Sequence, residues 1–135
     1  MKKLISTFGV LSLCLILSGC FGRVQPVYNV FNHPIPQGAQ SLSLKDIGDV
    51  IRISASKRQW LVEEKEPGLF TMVHRKKTHV AVVEIQYNQN SYSIKYNDST
   101  DLLYNGRNIH RNYNRWVANL ELDIETNLQI AAVGQ

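Results

Sequence analysis

Between Ser91 and Asn97 the side chains alternate. Tyr92, Ile94 and Tyr96 are aromatic or apolar, and Ser93 and Lys95 between them are polar. Successive side chains of a β-strand point to opposite faces, so this segment reads as a strand with one buried and one wetted face. A sheet built from such strands needs a second layer on one side only. The rest of the chain supplies both the further strands and the cover.

Three more strands precede it. Trp60-Leu61-Val62 opens one that stops at the turn pair Pro67-Gly68, and Leu69 to His74 forms the next. Arg75 to Thr78 is a polar turn. His79 to Tyr87 contains the run Val80-Ala81-Val82-Val83-Glu84-Ile85, the most strand-like stretch in the chain. Asn88-Gln89-Asn90 then turns the chain into Ser91. Consecutive strands joined by short turns imply an antiparallel meander.

The flanks have helical period. Ser43 is a suitable N-cap, Asp46 sits near the positive helix end, and Leu44, Ile47, Val50, Ile51, Ser54 and Ala55 make one stripe. Gly48 weakens such a helix by about 1 kcal/mol relative to Ala and permits close packing. The helix ends near Lys57-Arg58. After a polar loop over 97–108, Ile109, Tyr113, Trp116, Val117, Leu120, Ile124 and Leu128 form a second stripe, predicting a helix from about Ile109 to Ile130 with a frayed tail over 131–135. The expected fold is α+β: a four-stranded antiparallel meander with an N-terminal and a C-terminal helix on one face, in the order α-β-β-β-β-α, as a single domain over 42–130. No internal repeat or low-complexity segment appears.

The amino terminus is of another kind. Lys2 and Lys3 precede an apolar run from Leu4 to Leu17, softened by Ser6, Thr7, Gly9 and Ser12. The run is shorter than the roughly 20 residues that a spanning helix needs and fits a signal peptide. It ends in Leu17-Ser18-Gly19-Cys20, which resembles the lipobox of bacterial lipoproteins. That resemblance implies cleavage of residues 1–19, acylation of the Cys20 sulfur and anchoring in a lipid bilayer. Phe21, rather than Asp, after the cysteine implies the outer membrane, facing the periplasm, in a cell with two membranes. Residues 20–41 hold Pro26, Pro34 and Pro36 with Gly22 and Gly38, and read as a lipidated cysteine and flexible tether. Val27, Tyr28, Val30 and Phe31 are apolar enough for a short extended piece to dock on the domain edge.

The signal also reshapes the composition. It removes Lys2 and Lys3, so the formal charge of +4 overstates that of the mature chain, and nucleic acid is not among the expected partners. Of the two cysteines, Cys14 leaves with the signal and Cys20 is acylated. The domain is left without thiol, disulfide or thiolate metal site.

From Trp60 onward the chain resembles a group of small, mostly uncharacterised bacterial envelope lipoproteins. The matching elements are Gln59-Trp60, Pro67-Gly68, the Val80–Tyr87 strand, YSIKYNDSTDL over 92–102 and IHRNYNRWVANLELDI over 109–124. Where that group usually carries Arg or Lys followed by Gly-Trp, this chain has Arg58-Gln59-Trp60. The resemblance implies architecture and location, and no activity.

Candidate functional residues crowd the start of the last helix. His110, Arg111, Asn112, Asn114 and Arg115, with Asp98, Ser99 and Asp101 upstream, have the chemistry of an anion-binding or recognition patch. The competing reading is structural, with His110 tying loop to helix and Tyr113 and Trp116 in the core. Ser99, Asp101 and His110 contain the atoms of a hydrolytic triad, but no nucleophile elbow or oxyanion element accompanies them. His74 and His79 flank a possible hairpin turn, yet Arg75, Lys76 and Lys77 between them repel a divalent ion, so no metal or cofactor is expected. That basic cluster reads first as a solvated hairpin tip, with contact to lipid headgroups or an anionic cell wall as the alternative. The sequence therefore favours a membrane-anchored, non-enzymatic binding or assembly module, meeting another envelope protein or a cell-wall component. A small periplasmic hydrolase or ligand-binding enzyme is the alternative.

Overall fold

A computed structural model describes residues 22–134. The signal segment, the acylation site at Cys20 and the last residue of the tail lie outside the described residues. Ser43 starts the first helix, α1 (Leu44–Lys57), with its Oγ accepting from the Asp46 N–H at 3.0 Å and donating to the Asp46 carboxylate at 2.7 Å. This side-chain cap satisfies one of the helix's orphan donors and places an acid at its positive end. Ile47, Gly48, Ile51, Ser54 and Ala55 are buried. A Cβ at Gly48 would run into the Tyr87 phenol, so the glycine is what lets α1 lie close to the sheet.

Naming elements in chain order, β1 is Val24–Pro26, β2 Val30–Pro34, β3 Trp60–Glu66, β4 Leu69–Lys76, β5 His79–Tyr87, β6 Ser91–Thr100 and β7 Asn108–His110. The last helix, α2, spans Arg111–Val133. β3 to β6 form the expected antiparallel meander, and α+β holds as the fold class. The sheet nevertheless has five strands, in the order β2-β6-β5-β4-β3, and a separate two-stranded ribbon joins β1 to β7.

These additions correct the four-stranded expectation. They also correct the reading of 20–41 as a flexible tether, as far as the described residues go. β2 pairs antiparallel with β6 through Val30↔Ile94 and His33↔Tyr92, around an irregularity at Asn32, whose φ is 50°. Val30, Ile35, Ala39 and Leu42 enter the core, and the apolar area they remove from water outweighs the freedom they lose. The predicted helix start at Ile109 also moves. Residues 108–110 are extended because they pair with β1, and Ile109 reaches the core from a strand rather than a helix. At the other end α2 continues to Val133, with Ala131 and Ala132 packed on the core where fraying was expected.

One face of the sheet carries Trp60, Phe70, Met72, Ala81, Val83, Ile85, Tyr92 and Ile94, all buried with the inward stripes of α1 and α2. Both helices therefore cover that face. The other face shows Leu61, Glu63, Thr71, Val73, Glu84 and Lys95, with Leu61 68% exposed. β3, at one edge of the sheet, carries Glu63, Glu64, Lys65 and Glu66, charges that discourage further strand pairing. No helix among the described residues is long and apolar enough to cross a membrane.

Candidate functional site: a basic cleft with an aromatic floor

The register of the hairpin places Trp60 opposite His74. Their rings lie 5.2 Å apart, and the His74 ring lies 4.6 Å from that of Trp116, which α2 delivers from above. These three rings floor a cleft of about 510 Å³ at one end of the molecule. Arg58 and Gln59 wall it from the end of α1, Lys76, Lys77 and His79 from the β4–β5 turn, and Asn112, Arg115 and Asn119 from the first turns of α2. The lining contains four permanent cations and no carboxylate.

Arg58 is already committed. It grips Asp123 with two hydrogen bonds, of 2.6 and 3.2 Å, and the pair holds the Asp123 carboxyl below its usual range. Among the described residues Lys76, Lys77 and Arg115 have no carboxylate within ion-pair distance. His74 is only 7% exposed, and its Nδ1 is buried without a hydrogen-bond partner. Burial pushes its pKa down and Lys76 adds to the effect, against the backbone of Gln59 and Arg58, so the ring is neutral at pH 7. A buried polar atom without a partner is costly to leave. The site is chemically suited to an anionic group at the rim attached to a flat or apolar body on the floor.

The residues singled out from the sequence are distributed differently from the expected patch. Arg115 lines the cleft, and together with Arg111 it also borders a shallow neighbouring hollow beside β1. His110 is the N-cap of α2, its Nδ1 accepting from the Asn112 N–H at 3.1 Å. Burial first, then His79, Arg23 and Arg111, lower its pKa. Asn114 is a fastener: its Oδ1 accepts from the Tyr28 N–H, and its Nδ2 donates to the Pro26 carbonyl, each at 2.9 Å. Asp98 accepts from the Ser99 N–H at 2.8 Å. Asp101 takes the Thr78 hydroxyl and lies 3.4 Å from His79 Nδ1.

The hydrolytic grouping has no support in this arrangement. The Ser99 hydroxyl is bonded to Tyr96 Oη at 2.9 Å, His110 Nδ1 is used by the helix cap, and Asp101 faces Thr78 and His79. No hydrogen bond joins any two of Ser99, Asp101 and His110. Among the described residues no cluster of His, Cys, Asp and Glu is placed to hold a metal ion.

No protein-family model, curated protein or solved structure matches this chain. The cleft therefore has to be read from its own chemistry. Sequence reasoning missed its floor, because Trp60, His74 and Trp116 sit at positions where strand and helix spacing point to core. The exposed run Arg75-Lys76-Lys77, unbalanced by nearby acids in the sequence, was the available signal.

Proposed function

We propose that this chain is a lipid-anchored, non-enzymatic binding module of the bacterial cell envelope. It is held through acylated Cys20, on the periplasmic side of the outer membrane where a cell has two. Its ligand-binding surface is the basic cleft. The anchoring half of the reading rests on the basic start, the apolar run and the Leu17–Cys20 motif. The observation that carries the binding half is the combination of unpaired cations at the cleft rim with a buried, unpartnered His74 Nδ1 on its floor.

Two measurements test the two halves. Wild-type protein incorporates labelled palmitate and fractionates with membranes, and Cys20→Ala loses both; label retained in the variant, or absent from both forms, refutes the anchor. The chain's two tryptophans, Trp60 and Trp116, both line the cleft, so their fluorescence reports occupancy. Titration with short-chain phosphatidylglycerol changes that emission saturably. Lys77→Glu with Arg115→Glu weakens the response at least about tenfold, the loss of one to two charge-assisted contacts. An unchanged titration in the double variant refutes the cleft as the site.

A further inference from the structure

The chain is fastened to the domain almost as soon as it leaves the anchor. The Arg111 N–H, first of α2, donates to the Arg23 carbonyl at 2.9 Å, and Val24 begins the ribbon with His110. Arg23 lies three residues after Cys20. Even fully extended, three residues span no more than about 11 Å. The domain therefore has no long tether by which to stand away from the lipid or turn freely above it.

The fastened end is the basic one. It carries Arg23 and Arg111 beside the ribbon, Arg75, Lys76 and Lys77 on the β4–β5 turn, and Arg115 between the cleft and the hollow, all of them exposed. The two basic groups are neighbours, because His79 and His110 stack at 6.2 Å and Asp101 bonds to Thr78. Asp101 and Asp98 are the acids nearby, and Asp101 is taken up by Thr78 and His79. Two apolar side chains stand among these cations: Val24 is 41% and Leu103 53% exposed. The far end, by the β3–β4 and β5–β6 turns and the start of α1, carries Asp46, Asp49, Glu64 and Glu66. There Lys45 and Arg52 are paired to Asp49 and Glu64.

We infer that this basic end is a membrane-docking face, which the short Cys20–Arg23 link presses against an anionic phospholipid surface. The cations lie within about one Debye length of the headgroups, the range over which such attraction survives physiological salt. Val24 and Leu103 enter the headgroup boundary, and the acidic end points away. The occupant of the basic cleft is then the phosphate of a phospholipid in the same membrane. This inference rests on the proposed acylation of Cys20.

Full-length lipidated protein is reconstituted into vesicles of phosphatidylcholine with 30% phosphatidylglycerol. Because Cys20 is acylated, a second cysteine can be labelled alone. Lys77→Cys marks the basic end and Asn90→Cys the far end, both at exposed positions. Each is labelled with a fluorophore and quenched by headgroup spin-labelled lipid. The Lys77 position is quenched at least about threefold more than the Asn90 position; equal quenching, or the reverse order, overturns the inference. Adding Arg75→Glu, Lys76→Glu and Arg111→Glu to the Lys77→Cys protein lowers its quenching at least about twofold on these vesicles and leaves it unchanged on pure phosphatidylcholine. A charge reversal without effect on the anionic vesicles overturns the headgroup contact. Vesicle flotation separates the two readings: protein that fails to float marks failure of the acylation proposal, and protein that floats without the quenching order marks failure of the docking face.

Discussion

Gln59 is the residue at which α1 ends, and its backbone lies in the left-handed region at φ 65°. It follows the helix's C-cap, Arg58, and its N–H donates to the Ser56 carbonyl at 3.0 Å. This is the position at which helices most often carry glycine. For a residue with a Cβ the left-handed conformation costs about 1–2 kcal/mol. Glycine escapes that cost but gives the unfolded chain more freedom to lose, worth about 0.5–1 kcal/mol. The difference leaves Gln59→Gly more stable by about 0.5–1 kcal/mol. In a domain of this size that raises Tm by about 2–5 °C. Thermal unfolding followed by far-UV circular dichroism measures it, with Gln59→Ala as the control that retains the Cβ and shows no such rise. A Gln59→Gly protein that melts at or below the wild-type temperature would refute the claim that this residue is held under conformational strain.

The remaining predictions concern the amino-terminal ribbon and acid stability. Asn114→Ala strips the Tyr28 N–H and the Pro26 carbonyl of their partners and costs about 1–2 kcal/mol. Amide exchange over Val24–Val30 accelerates by at least about fivefold while β4 and β5 keep their protection, and uniform acceleration would place the residue's role elsewhere. The folded state holds the pKa values of both His74 and His110 below the ordinary 6.5, so it favours their neutral forms. Their contribution to stability is complete above pH 6.5 and is lost as pH falls through the lowered values, because the unfolded chain takes up protons first. Tm accordingly drops between pH 7.5 and 5, and His110→Asn, which caps a helix without titrating there, drops less; a flat profile contradicts the assignment.

Much of this fold was legible because local pattern and tertiary role coincide. Ser43 with Asp46 marks a helix start in any context, the Tyr92-Ile94-Tyr96 alternation needs only a buried face, and the Tyr113–Leu128 stripe only a surface to meet. β1, β2 and β7 were hidden for the opposite reason. Three residues such as Val24–Pro26 are too few to show a period, and their extended form comes from pairing with Asn108–His110, whose His110 lies 86 residues after Val24. In β2 the left-handed Asn32 breaks the alternation that would have announced a strand. The site was harder still. Composition shows that Arg75–Lys77 are basic, but only the pairing of Trp60 with His74, and the placing of Trp116 over them, turns three core-like rings into the floor of a cleft.

The β1–β7 pairing also dictates an order of events. The meander from Trp60 to Thr100 can close turn by turn as the chain is made, each step joining residues only a few positions apart. β2 must wait for β6, and Val24 must wait for His110. Closing such a long loop costs only about 2–3 kcal/mol more than closing a short turn, since the cost grows logarithmically with length, but it cannot begin before the partner exists. Residues 24–34 are thus synthesised before the strands that pair with them. A nascent chain that ends before Asn108 carries the residues of the meander and of the first helix, and an amino-terminal ribbon strand whose partner has yet to be made.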